Sequence, residues 1–244
     1  MTQLSVNVDH VATLREARGT HYPEPIEAAR IAEESGATGI TVHLRGDARH
    51  IQERDVAKLR EVVRGKLNLE MATADEMVEI ALRIRPDQVT LVPERPEEIT
   101  TEGGLDLLST GDRALEVARV LSAEGILVSA FVDPQEAQVA WLTKLGSGAI
   151  QGFEINTDRY SRTEGAERES ELVAIRRTAT AGETAGLRVY AGHALTTDNV
   201  GPIAAIPQIE ELNIGHFLVS RAVLVGMATA VREMLAAMAS PEKG

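Results

Sequence analysis

Eight short runs rich in β-branched and aliphatic residues alternate with longer amphipathic stretches along the whole 244-residue chain. That alternation constrains the fold more than any other feature, because repeated βα units assemble a parallel sheet covered by helices. The expected strands are Leu4–Val8, Gly39–His43, Leu67–Met71, Gln88–Val92, Leu127–Val132, Ala149–Ile155, Leu187–Ala191 and Glu211–Ile214. Eight such strands close a (β/α)₈ barrel, a fold that takes about 250 residues as one unit. An α/β, TIM-barrel catalytic domain spanning residues 1–244 is therefore expected.

Between the strands, apolar residues recur three and four apart over Pro25–Ser35, Asp55–Val63, Ala74–Ile84, Asp112–Ala123, Pro134–Leu145 and Glu164–Ala181, the spacing of a half-buried helix. Pro134 behind Asp133 reads as a first-turn proline, Gly36 and Gly125 as left-handed helix ends, and Asp198 as a cap for a short helix. A last, continuous helix over roughly Arg221–Ala239 either closes the barrel or offers a subunit contact. The polar stretch Glu94–Ser109, with Gly103 and Gly104 as hinges, reads equally as a lid and as an ordinary connection.

Composition narrows the chemistry. With 43% hydrophobic but only 3% aromatic residues, barrel interior and helix–strand interfaces are expected to fill with Val, Ile, Leu and Ala. A net charge of -12 opposes binding to nucleic acid or to an anionic membrane face. Without cysteine there is no disulfide, thiolate metal site or cysteine nucleophile. The first residues lack the basic and apolar regions of a leader, and no run is long enough to span a bilayer, so a cytoplasmic location is expected.

The functional face of such a barrel is the rim at the C-terminal ends of its strands. Of six histidines, His10, His43, His193 and His216 fall at or just after strand ends, and His50 lies in the loop after the second strand. Glu70 follows Leu67 and Leu69 in an otherwise apolar strand. Burial there raises its pKa and gives it, with the histidines, a part in acid–base chemistry, unless an Arg or Lys pairs with it. Gly192 and Gly215 leave backbone N–H groups open to a phosphate, with a helix start after Gly215. Arg18 and Arg45 are taken as ligand-facing, Arg15 and Arg49 as surface charges. Asp9 and His10, as neighbours on a strand, point to opposite faces, and neither HxH nor HExxH occurs, so a metal-independent site is favoured. No dinucleotide or NTP loop is present. At this level a barrel isomerase or aldolase for a sugar phosphate and a non-catalytic phosphate-ligand carrier both stay open.

The segments NVDHVATLREARGT, GITVHLRGDARHI, NLEMA, LVPERPEEITTEGGLD, YAGHALT and ELNIGHFLVSRAV together resemble the pyridoxine 5′-phosphate synthase family, from the first strand to the final helix. The resemblance implies a transferase that condenses 3-amino-2-oxopropyl phosphate with 1-deoxy-D-xylulose 5-phosphate, without metal or organic cofactor, as a homo-octamer assembled from dimers. By matching motif it implies His43 and Glu70 as proton acceptors and His193 as proton donor. Asn7 and Arg18, with Ala194, Gly215 and His216, would hold the aminoketone phosphate; Asp9, His10, Arg45, His50 and Thr100 would contact the deoxyxylulose phosphate. The chain departs from the family pattern at Ala194, where glycine is usual and a positive φ would strain alanine, and at Asn156 and Asp158, which replace His and Gly. Glu154 is retained and is expected to shape the site.

Overall fold

Each expected run forms a strand in the computed structural model, which describes residues 2–94, 103–146 and 148–240. The strands are β1 (Gln3–Asn7), β2 (Gly39–His43), β3 (Lys66–Met71), β4 (Gln88–Leu91), β5 (Leu127–Val132), β6 (Gly152–Asn156), β7 (Arg188–Gly192) and β8 (Glu211–Ile214). They pair in chain order, all parallel, and β8 closes on β1, completing the barrel. The sixth strand starts at Gly152 rather than Ala149.

Helices α1 (Asp9–Glu16), α2 (Pro25–Glu34), α3 (Glu53–Val62), α4 (Asp75–Ile84), α5 (Leu107–Ala123), α6 (Glu136–Trp141), α7 (Asp158–Arg162), α8 (Gly165–Thr184), α9 (Val200–Ala204), α10 (His216–Val225) and α11 (Met227–Met238) lie outside the strands. Several differ from expectation. The run assigned to the first strand ends early, so that Asp9 and His10 open α1 instead of alternating on a strand. Helix α5 starts at Leu107, where the Asp106 side chain accepts the Leu108 N–H at 3.2 Å. Pro134 precedes α6 by two residues and is not in its first turn. The side chain before α9 is Asn199, which accepts the Thr196 N–H, so Asp198 is not the cap. The final helix is broken at Gly226, whose φ of 83° cannot continue a right-handed helix. Gly36 and Gly125 do adopt positive φ at helix ends. Gly104 is closely packed: a Cβ there would meet the Val132–Asp133 backbone within 2.6 Å, and its N–H donates to Asp133 Oδ1; residues 95–102 of the stretch expected as a lid or connection lie outside the described residues.

The larger departure concerns what fills the barrel. Side chains alternate across a strand, and here the aliphatic set faces outward: Val6, Val42, Leu69, Val89, Ile155 and Leu212 are buried with the helix residues Ala29, Ile80, Ala118 and Ile175. Burial of that kind contributes roughly 1.5–3 kcal/mol per large aliphatic side chain. The inward set is polar. Ser5 and Thr41 share a hydrogen bond of 2.8 Å, Thr41 donates to Asn213 Oδ1, Thr90 donates to Asn68 Oδ1, and Gln88 Nε2 donates to Ser129 Oγ. Below them Lys66 Nζ donates to Glu211 at 2.6 Å and to Gln88 at 3.0 Å. These polar groups satisfy one another, which is the condition for burying them at all. The expectation of an aliphatic barrel interior is thus corrected, while that of aliphatic helix–strand interfaces holds.

Among the described residues, no helix is long and apolar enough to cross a membrane.

Candidate active site

Strand register sets the first contact of the site. His43 and Glu70 end up as neighbours across β2 and β3, about 5 Å apart by the usual strand spacing, at the C-terminal rim. There they line a cavity of about 480 Å³ together with Asn7, Asp9, His10, Arg45, His50, His193, Ala194, Gly215 and His216. Segments far apart in sequence therefore converge on one space. Arg18 is exposed beyond the end of α1 and does not line the cavity. Thr100 lies outside the described residues.

Glu70 is the electrostatic outlier. Burial first, then the nearby carboxylates of Glu154 and Asp9, push its pKa well above the ordinary value. No salt bridge or hydrogen bond to its side chain occurs among the described residues, so the structural ion pair that sequence left open is not formed there. Beneath it, burial raises Glu154 to about 7, against the pull of an Asn213 Nδ2–H donated at 2.5 Å. Two neighbouring carboxyls that resist ionisation make a site able to hold or release a proton near neutrality.

The histidines are tied differently. His43 donates its backbone N–H to Asp9 Oδ1 at 2.8 Å, and its Nε2 lies 3.0 Å from Glu94 Oε1. His50 accepts the Ile51 N–H on Nδ1 at 2.8 Å, which leaves its Nε2 as the N–H donor of the neutral ring. Burial lowers the pKa of both His50 and His10, and the His10 ring meets the His216 ring edge-on at 5.0 Å. His193 Nε2 lies 3.7 Å from Asp158 Oδ1, so the departure at Asp158 puts a carboxylate beside that histidine. Asp158 also accepts a hydrogen bond from Arg162 Nε at 2.8 Å.

Asn7 and Asp9 lock each other, Asn7 Nδ2 donating to Asp9 Oδ2 and the Asp9 N–H to Asn7 Oδ1. Because both residues of the Asp9–His10 pair sit in the first turn of α1 and both line the cavity, the opposite-face argument against a shared site fails. No cluster of three or more His, Asp or Glu placed to hold a metal occurs among the described residues.

Two features suit an anion. Gly215 precedes α10 without a side-chain cap, leaving the first N–H groups of that helix open at the cavity. A Cβ on Gly215 would come within 2.9 Å of Asn7 Cβ, so close approach demands glycine. His193 and Ala194 both have positive φ, 88° and 59°, which turns the chain sharply after β7 and puts strain of about 1–2 kcal/mol on each non-glycine residue. Gly192 ends β7 packed on Glu154, whose Oε1 would lie 2.5 Å from a Cβ, and is not among the residues that line the cavity.

The arginines sort unlike the expectation. Arg45 is buried at the cavity wall; Arg49, bound to Asp47 at 2.5 Å, and Arg162 line the cavity too, but both are exposed. Arg15 is no surface charge: it is fully buried and donates to both oxygens of Asp55 and to the His50 carbonyl, bracing the loop that carries Arg45 and His50. Glu94 was overlooked as a site residue. The signal is an acidic residue three positions past the end of β4, on the C-terminal rim that Glu70, still inside β3, also reaches.

Comparison with known proteins follows the same lines. Residues 4–240 match the family model described as Pyridoxal phosphate biosynthesis protein PdxJ. A Synechococcus sp. protein named pyridoxine 5′-phosphate synthase is 54% identical over 239 residues, covering 98% of this chain and 99% of that one. One of the same name from Syntrophotalea carbinolica is 52% identical over 235 residues, 96% and 97% of the two chains. Among solved structures, KGPDC from Streptococcus mutans superposes with a TM-score of 0.66 at 13% identity, covering 98% of both chains. A phosphoribosyl anthranilate isomerase gives 0.61 at 13%, over 98% and 99%. At such identity these two share the barrel alone.

Proposed function

Since the chain belongs to the family of the Pyridoxal phosphate biosynthesis protein PdxJ and is an enzyme of the pyridoxine 5′-phosphate synthase kind, we propose that it condenses 3-amino-2-oxopropyl phosphate with 1-deoxy-D-xylulose 5-phosphate. The products are pyridoxine 5′-phosphate, inorganic phosphate and two molecules of water. The observation that carries this reading is Glu70, a carboxyl raised by burial and left without a cation at the floor of a cavity ringed by histidines.

The amine attacks the ketone to give a Schiff base with loss of water; phosphate leaves; carbon–carbon closure and a second dehydration make the ring aromatic. Each step moves a proton. His43 and Glu70 accept protons and His193, beside Asp158, donates them. A carboxyl of raised pKa is a stronger base once ionised and exchanges its proton closer to neutral pH. Holding both substrates in one cavity replaces a bimolecular encounter by an oriented one.

Asn7, Ala194, Gly215 and His216 hold the aminoketone phosphate, with the open start of α10 supplying N–H donors. Asp9, His10, Arg45 and His50 hold the deoxyxylulose phosphate, His50 donating through Nε2. Arg18 and Thr100 belong to this proposal by family resemblance alone. The same holds for the homo-octamer built from dimers, for which the exposed Val223 and Leu224 on α10 offer an apolar contact.

Incubation of the folded protein with the two substrates, followed by measurement of pyridoxine 5′-phosphate and released phosphate, tests the proposal. Both products are expected in equal amounts. Phosphate-ligand binding without either product would point to a carrier, and turnover of one substrate alone to an isomerase or aldolase.

A further inference from the structure

Glu94 follows β4 in the chain, beside the cavity-lining His43, and both its carboxylate oxygens are engaged. Oε1 is 3.0 Å from His43 Nε2, and Oε2 accepts the Gly46 N–H at 3.1 Å. The side chain is only 16% exposed. Although burial opposes ionisation, the hydrogen bonds from His43 and Gly46 hold Glu94 below its ordinary pKa. An ionised carboxylate has no proton to share, so the proton in the contact with His43 belongs to the imidazole. A neutral imidazole protonated on Nε2 carries its lone pair on Nδ1. No hydrogen bond to Nδ1 is made by any described residue, and the ring lines the cavity.

We propose that Glu94 is a positioning residue for His43, holding the ring proton on Nε2 so that Nδ1 is the basic nitrogen presented to the substrate. The proposal rests on the reading of His43 as a proton acceptor. It deepens that reading by naming the atom that accepts and the group that selects it. A base that is oriented by a third group keeps both its tautomer and its angle to the substrate, and loss of the orienting group costs rate rather than affinity.

The contact with Gly46 makes one substitution unusually informative. Glu94→Gln keeps the shape but has a single acceptor oxygen for two donors. If that oxygen stays with the Gly46 N–H, the amide NH₂ faces His43 Nε2 and obliges it to accept, which drives the ring proton onto Nδ1. The intended base then becomes a donor.

Neutron diffraction from the deuterated protein at mildly alkaline pH reads the ring directly and needs no variant. Deuterium on Nε2 of His43 is expected; deuterium on Nδ1 alone would overturn the proposal. In Glu94→Gln, kcat is expected to fall by about 100-fold or more, the scale of a lost general base, while the KM values for both substrates change little. Glu94→Asp, which keeps the charge, should recover part of that loss. Wild-type kcat in a folded Glu94→Gln protein would overturn the inference. His43→Asn separates the two layers: if it retains full turnover, the reading of His43 as a base fails, whatever tautomer Glu94 selects.

Discussion

Lys66 and Glu70 stand on the same inward face of β3, about 13 Å apart along the strand, and they have opposite environments. At the lower end, Lys66 donates to Glu211 and Gln88 and sits 4.6 Å above the Tyr190 ring. At the upper end, Glu70 faces two other acids, Glu154 and Asp9, and pairs with no cation among the described residues. The same polar interior thus pairs its charges at one end and leaves a carboxyl unpaired among acids at the other. Pairing serves the fold, whereas an unpaired carboxyl is a cost that only chemistry repays.

If that contrast is right, Glu70→Gln abolishes function without harming the fold. Turnover is expected to drop by about 10²–10⁴-fold, with phosphate-ligand binding kept and the denaturation midpoint unchanged or higher, because a neutral amide replaces a carboxyl that resists ionisation. Activity near the wild-type level would remove Glu70 from the mechanism.

Lys66→Met should do the reverse. It strands Glu211, which is 2% exposed, at a cost of about 3 kcal/mol in urea unfolding, the low end for a broken buried pair because Lys66 is itself partly solvated. Turnover per folded molecule should stay within about twofold, as expected for sites more than about 10 Å apart. A loss of activity equal to that of the Glu70 variant would erase the distinction between the two ends.

Glu154, between them, reports how far each end reaches. Its pKa is raised from 4.5 to about 7 in the folded protein. Between those values the folded state holds a proton that the unfolded chain has released, so stability falls as pH rises, by up to about 1.4 kcal/mol per pH unit. Glu154→Gln should flatten the wild-type decline in thermal midpoint across that window; an unchanged slope would assign the decline elsewhere. The smallest effect is expected at Ala194. Relief of its φ of 59° by Ala194→Gly should add at most about 1 kcal/mol, because glycine's extra chain entropy offsets part of the gain. A destabilised variant would show that the turn after β7 stores no strain.

The strands were legible because each alternates within a short run closed by turn residues, and βα repetition leaves few topologies. Even the polar interior was written in Ser5, Asn7, Thr41, His43, Asn68, Glu70, Gln88 and Thr90 at every second position. That alternation does not by itself put the polar set inside, because barrel interiors usually take branched aliphatics. Helix α1 has no expected counterpart in the sequence, and treating Asp9 and His10 as strand neighbours hides the orientation they share in its first turn. Arg15 could not be told from a solvated arginine, since its partner Asp55 is forty residues away in sequence.

By itself, then, the sequence determined the barrel, the rim on which His43, Glu70, His193 and the Gly215 turn would gather, and the family to which its motifs point. Local periodicity and strand ends carry that much. Tertiary structure alone decided which charges are paired. Whether Glu70 meets a cation, whether Glu94 reaches His43, whether Asp158 stands beside His193 and whether Ala194 must adopt a positive φ depend on distances between segments that no local pattern encodes.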